Sequence, residues 1–327
     1  MKPIVFVLFS LLFVAGAFCQ KPAYGVLKKF RIASPGGWDY IAVNNGKLYV
    51  SHGTQVNILD EKTGDSAGVI PNTTGVHGIA FNNAKGRGYT SNGRLNNVTI
   101  FDLATNAILD SIKTGENPDA ILFEPSSNTI ITCNGRSNDL TVIDVQTEKV
   151  IATIPVGGKP ETAVSDGRGT LFVNIEDKNE IAAVDLKTAA VVHHWPLHGE
   201  SPTGLAIDTV TKRLFSTCEK LLVVMNATTG SIVDTLPTGD GCDGAAFDEK
   251  KKLVFTSNGE GSITVVQEKT ANSFSVVGTI PTKRGARTIT IDKTSGTLFL
   301  PTADFETTTG NERPKMIPGT FQVLVVQ

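Results

Sequence analysis

A chain of 327 residues, 40% hydrophobic, with 30 basic against 32 acidic residues, has room for two ordinary domains or one large repeat domain. The near-neutral balance excludes the electrostatic footprint that duplex DNA or an anionic membrane surface demands. Beyond the N-terminus no apolar run approaches the ~20 residues of a membrane-spanning helix, so no membrane span is expected in the mature protein.

Met1-Lys2-Pro3 leads into an apolar stretch from Ile4 to Ala15 broken only by Ser10, and Gly16-Ala17-Phe18-Cys19 follows. A basic start, a short apolar core and small residues before a cut mark a secretory signal. Residues 1–19 are therefore read as a signal peptide and 20–327 as one domain, with a periplasmic or secreted location. Acylation of Cys19 is the rival reading, opposed by bulky Phe18 before it. Losing Lys2 with the leader leaves 29 basic and 32 acidic residues and three cysteines, Cys133, Cys218 and Cys242. An odd count leaves at least one thiol unpaired or bridged to another molecule.

The first predicted strand after the leader, Val26 to Ile32, belongs to no local hairpin. From Pro35 onward a repeat takes over, and its clearest element ends in aspartate: Val56 to Asp60, Val98 to Asp102, Leu140 to Asp144 and Ile181 to Asp185, with Leu222 to Asn226 and Ile263 to Gln267 continuing it. The final residues are spaced by 42, 42, 41, 41 and 41. Each segment is rich in β-branched and aliphatic residues, as a buried strand is. Thr63, Thr105, Thr147, Thr188 and Thr229 stand three residues further on, which is the chemistry of a tight Asx-type turn.

A strand ending near proline comes next, at Pro71, Pro155, Pro196, Pro237 and Pro281, and proline suits a sheet edge because it donates nothing to a ladder. Two strands precede the aspartate strand, one typified by Ile79-Ala80-Phe81 and the other by Gly88-Tyr89-Thr90. Four strands per repeat without an amphipathic helix describe a β-propeller blade. Seven first strands, near Ile41, Ile79, Ile121, Thr162, Leu205, Ala245 and Ile289, predict an all-β fold: a seven-bladed β-propeller of four-stranded antiparallel blades. Alanines 42, 80, 206 and 246 are expected at the crowded axis, and aromatics of the second strands in the gaps between blades. The last repeat stops after three strands, so the orphan N-terminal strand is expected to complete it and close the ring.

Tyr89-Thr90-Ser91-Asn92, Tyr49-Val50-Ser51-His52 and Thr153-Ile154-Pro155-Val156-Gly157 resemble the signatures of the YVTN-repeat β-propeller family. Ile175 to Ile181, Gly239 to Gly244 and Arg284 to Thr288 are similar to its YncE-like branch in particular. The likeness spans essentially all of the mature chain. It implies an exported propeller, and it carries the single-stranded DNA binding attached to that name as an expectation only.

Aligning the repeats puts Asp39, His77, Asp119, Glu161, Thr203, Asp243 and Arg287 at the head of the first strand, one per blade, on the upper face around the central channel. Loop residues His52, Asn92, Asn134, Glu176, Cys218, Asn258 and Asp304 are expected on the same face. The functional reading is a binding or interaction protein. In it Asp39, His77, Asp119, Glu161 and Asp243 take up a cation or a hydroxylated ligand, Arg287 orients a carboxylate, and Trp38 offers a stacking surface. The bland reading is that water-filled channel mouths favour polar residues in any propeller.

No cofactor is predicted, although the acidic ring suits a divalent cation, and the partner expected is a small molecule, glycan or protein. An enzyme is the less favoured reading. A metal-dependent lactonase-like hydrolase would need Glu161, Asp119, Asn134 and His77 to converge on one ion. Weak single-stranded DNA binding would rest on Lys283, Arg284 and Arg287. Gly64 to Gly68 spells a nucleophile-elbow pattern in the wrong context, a hairpin. Cys218 and Cys242 stand close enough in the repeat frame for either a disulfide or two free thiols. The long segment from Asp304 to Thr320 is expected to rise over the upper face, and the chain is read as a monomer.

Overall fold

In the computed structural model, residues 24–307 and 314–327 are described, so the signal peptide expected at 1–19 lies outside them. Seven four-stranded antiparallel sheets follow one another in chain order. Blade one runs from the strand Trp38–Asn44 to Ser66–Ile70, blade two from Val76–Asn82 to Ile108–Lys113, and blade three from Pro118–Glu124 to Lys149–Pro155. Blades four, five and six open at Pro160–Ser165, Leu205–Asp208 and Cys242–Asp248 and close at Ala190–Pro196, Ile232–Pro237 and Ser273–Pro281. Among the described residues the one helical element is a 3-10 turn at Glu176–Lys178.

The seventh blade assembles Thr290–Ile291, Leu298–Thr302 and Gln322–Val326, and its fourth strand is the N-terminal Val26–Arg31. Phe30 faces Val323 and Lys28 faces Val325 in that antiparallel pair. The orphan strand therefore pairs the edge that the last repeat leaves open.

The turn after the third strand forms as its sequence dictates. Asp60 Oδ1 accepts from the Lys62 and Thr63 amides at 2.9 Å each, and Asp102 does the same for Ala104 and Thr105. The prolines at 155, 196, 237 and 281 terminate outer strands and are exposed.

Seven hydrophobic clusters fill the seven seams between neighbouring blades. Second-strand aromatics sit there as expected: Tyr49 reaches Phe81 and Phe101 of blade two at 4.8 and 6.1 Å, and Phe215 reaches Phe247 of blade six at 5.2 Å. Each such fully buried side chain contributes about 1.5–3 kcal/mol of burial. The alanines expected at the axis are placed differently, because Ala42, Ala80 and Ala206 join seam clusters. A β-bulge at the head of the first strand shifts the alternation between Trp38 and Ile41, and again between Val76 and Ile79. A bulge re-aims the side chains around it.

Candidate functional site

The heads of the first strands are locked into a ring by polar side chains that reach across the seams. Thr288 Oγ1 of blade seven donates to the Asp39 carbonyl at 2.6 Å, and Ser91 of blade two donates to the Asp119 carbonyl of blade three. Asn174 of blade four donates to the Thr203 and Gly204 carbonyls at 2.9 and 3.0 Å. Thr203 donates to the Cys242 carbonyl at 3.0 Å, and Ser257 to that of Arg287. These bonds hold backbone, so the side chains of Asp39, Asp119 and Arg287 are left for other contacts.

In that ring the predicted residues meet. His77 Nδ1 lies 2.6 Å from Asp39 Oδ2 and 3.7 Å from Asp119 Oδ1. Glu161 is paired with Lys159 at 2.5 Å, and the same ammonium also meets Glu176. Asp243 Oδ2 is ion-paired with Arg287 Nε at 2.9 Å. Among these carboxylates Asp119 stands furthest from a positive partner, its nearest being His77 Nδ1 at 3.7 Å, beyond hydrogen-bonding distance.

Burial dominates the electrostatics. It raises Asp119, opposed by His77 and reinforced by Asp39; it raises Glu161, reinforced by Asp119 and opposed by Lys159; and it carries Asp243 up to about 6 against the pull of Arg287. Burial alone would lower His77, but its bond to Asp39 and the charges of Asp119, Asp39 and Glu161 leave it raised.

The next residue along each first strand is Tyr40, Gly78, Ala120, Thr162, Gly204, Gly244 or Thr288. Gly78, Gly204 and Gly244 pack so closely on their neighbours that a Cβ would stand within 2.8 Å of them, whereas Tyr40 is large: it packs against the cluster of blades three and four, and its hydroxyl reaches Thr162 Oγ1 of blade four at 3.4 Å. Burial, then the charges of Asp119, Asp39 and Glu161, push that phenol well above its ordinary value, so it stays protonated. Tyr40 is the site residue that reading the sequence missed. Its signal was present as the one large side chain in an otherwise small column, hidden by the bulge.

No family model and no curated protein matches the chain. Among solved structures, the RRP9 WD40 repeats superpose with a TM-score of 0.79 at 10% identity, covering 92% of this chain and 97% of that one. The Kuenenia stuttgartiensis hydrazine synthase matches with a TM-score of 0.72 at 15% identity, covering 82% and 94%. The chain is a seven-bladed β-propeller with WD40-like structural neighbours. At such identities the likeness carries the fold alone.

The remaining expected residues divide. Trp38 stacks on Phe321 at 5.2 Å and lies 6.1 Å from Phe305, at the seam of blades seven and one. Phe305 and Met316 bridge within the long loop, whose residues 308–313 lie outside the described set. His52, Asn92, Asn134, Cys218 and Asn258 do not line the face, because all five are fully buried. The asparagines are turn-builders: Asn134 Nδ2 donates to Asp139 Oδ1 at 2.7 Å and Thr141 Oγ1 at 2.8 Å, and Asn92 repeats this with Asn97 and Thr99.

Asn134 is thus unavailable to the ligand set once expected, and the group whose ligand atoms lie within 4.8 Å of one another is Asp39, His77 and Asp119. The three cysteines among the described residues are free and buried, so no bridge joins Cys218 to Cys242, and burial pushes the thiols of Cys218 and Cys242 up to about 12 and about 11. His193 and His194 stand on the outer strand of blade four, His194 paired with Glu180 at 2.6 Å.

Proposed function

We propose that this propeller is an exported binding protein of the YncE-like kind whose upper-face ring takes a ligand bearing an ammonium or several hydroxyl donors. One observation carries the reading. Asp39, Glu161 and Asp243 each have a cation of their own, whereas Asp119 has none within bonding distance and sits among other carboxylates. A desolvated carboxylate without a donor is costly, and a ligand that supplies one relieves the cost. Arg287, half exposed beside Asp243, is placed to meet an acidic group on the same ligand.

The test is a thermal-shift and calorimetric panel of polyamines, amino sugars, neutral sugars and divalent metals. We expect at least one class of amine or sugar to stabilise the protein, and Asp119→Asn with Glu161→Gln to abolish the effect. Shifts that persist unchanged in the double variant would sink the proposal.

A second reading, a metal-dependent hydrolase, is favoured by the Asp39, His77 and Asp119 group, which would leave coordination positions for water and a carbonyl. It ranks below the first because His77 Nδ1 is already engaged by Asp39. Stoichiometric metal in the purified protein, with chelator-sensitive lactone hydrolysis, would reverse that ranking. Single-strand binding has less support, since Lys283 is paired with Asp304 and Arg287 with Asp243.

A further inference from the structure

Blade four departs from the repeat at two positions that face the same seam. On the third strand, the column Ile58, Ile100, Val142, Val224 and Val265 is interrupted by Ala183; on the fourth, the column Ile70, Ile112, Ile154, Leu236 and Ile280 is interrupted by Trp195. A small floor beside a large flat wall leaves a groove. It measures about 330 Å³ between blades four and five, within the range that holds small ligands, and is lined by Phe172, Ala183, His193 and Trp195 with Arg168 and Lys212 at the rim. The wall is a stack of rings: Phe172 and His193 lie 6.0 and 5.5 Å from Trp195, at 24° and 15° to it.

The rim is cationic. Neither Arg168 nor Lys212 takes part in an ion pair among the described residues. The one acid there, Asp166, has Oδ1 committed to the Arg168 and Thr170 amides at 2.8 and 3.0 Å. Lys212 also occupies a left-handed position, φ 57°, where the matching residues are Gly46, Gly86, Asn128, Gly169 and Gly296. Lys252 shares that conformation and uses it to reach Asp208 at 2.6 Å. Lys212 accepts the same backbone strain with no acid to reach.

From this juxtaposition we infer that the groove is a second binding site, separate from the channel mouth, for a small planar aromatic anion. The ring of such a ligand lies on Ala183 against Trp195, and its carboxylate faces Arg168 and Lys212.

Calorimetry with 2-naphthoate, and with 2-naphthylmethylammonium as the cationic isostere, tests the inference on the whole mature chain. Expected are saturable one-to-one binding of the carboxylate, no measurable binding of the ammonium, and at least tenfold weaker naphthoate binding in Ala183→Val, which restores the residue other blades carry. Arg168→Gln with Lys212→Gln, both at the exposed rim, is expected to weaken it as much without altering the melt. Asp119→Asn is expected to leave it unchanged, which separates this site from the ring. Absence of naphthoate binding, equal binding of the ammonium, or indifference to both groove variants would overturn the proposal.

Discussion

At the scale of single residues, the channel mouth concentrates groups whose loss of a proton works against the fold as pH rises. Asp119, Glu161 and Asp243 have folded pKa values above their ordinary range, chiefly through burial. The native state therefore binds more protons than the unfolded chain above about pH 4, and stability falls as pH climbs through the raised values. His77 acts in the same direction, because its raised pKa gives stability that is present below its ordinary value and lost as pH rises through the folded one. At the acid end, Asp208, held at about 2 by Lys252 and its turn amides against the cost of burial, and Glu124 with its serine partners lose stability as pH falls through their lowered values. We expect the melting temperature to be higher near pH 5 than near pH 8.5. Asp119→Asn should narrow that gap by stabilising the alkaline side by a few degrees. Calorimetric scans of both proteins at fixed ionic strength check this, and equal gaps would refute the assignment.

Tyr40 shows why part of this site escaped the sequence. The spacing of the repeats identifies the ring residues without any structure, because one residue per blade must stand at each first-strand head. A bulge shifts which face each residue takes, and no spacing rule announces it, so Ala42, Ala80 and Ala206 join the seams and not the axis expected for them. The buried asparagines were misread for a related reason. A polar residue at a strand end looks the same in sequence whether it faces solvent or closes a turn. The clue lay in the companion threonines Thr90, Thr132 and Thr256, which hydrogen-bond to Asn92, Asn134 and Asn258. Asn134→Ala removes partners from Asp139, Thr141 and Thr132, and the cost expected is about 1–3 kcal/mol in a denaturant titration.

At the scale of the element, the hairpin after the third strand was fully legible, yet its residue at the left-handed position varies for a reason set one blade away. Asn106, Glu148 and Ala189 adopt positive φ there, so the conformation itself does not demand glycine. Gly64 and Gly230 occur where the preceding blade ends in an aromatic. A Cβ on Gly64 would stand 2.2 Å from the Phe30 ring, and one on Gly230 would stand 2.3 Å from Trp195. Phe30 and Trp195 occupy the same repeat position, in blades seven and four. Aromatic wall and glycine turn are therefore a coupled pair across each of these two seams. Gly230→Ala should cost about 1–3 kcal/mol through overpacking, and much of that loss should vanish in a Trp195→Leu background. A double-mutant cycle measures the coupling, and simple additivity of the two changes would contradict it.

At the scale of the whole molecule, everything depends on closure, because the ring residues come from different blades and keep their distances only if the circle is complete. The closing strand Val26–Arg31 covers the edge of Gln322–Val326, and Phe30 with Ile32 packs into the seam of blades seven and one beside Phe299 and Phe321. Thr288 of blade seven is also the residue that fixes the Asp39 backbone, so an open seam would loosen the acidic ring at its first member. A chain that begins at Ala33 would expose both an unpaired strand edge and the apolar seam beneath it, a combination that favours pairing with a second copy. We expect that truncation to lower the melting temperature sharply and to convert the protein to dimers or larger species in sedimentation. A synthetic peptide spanning Tyr24 to Ser34 should restore the sedimentation of the intact chain by supplying the strand in trans, whereas a version with Phe30→Ala should do so poorly, having lost the side chain that enters the seam. A truncated chain that melted like the intact one would show that blade seven stands on three strands, and that the ring does not need its clasp.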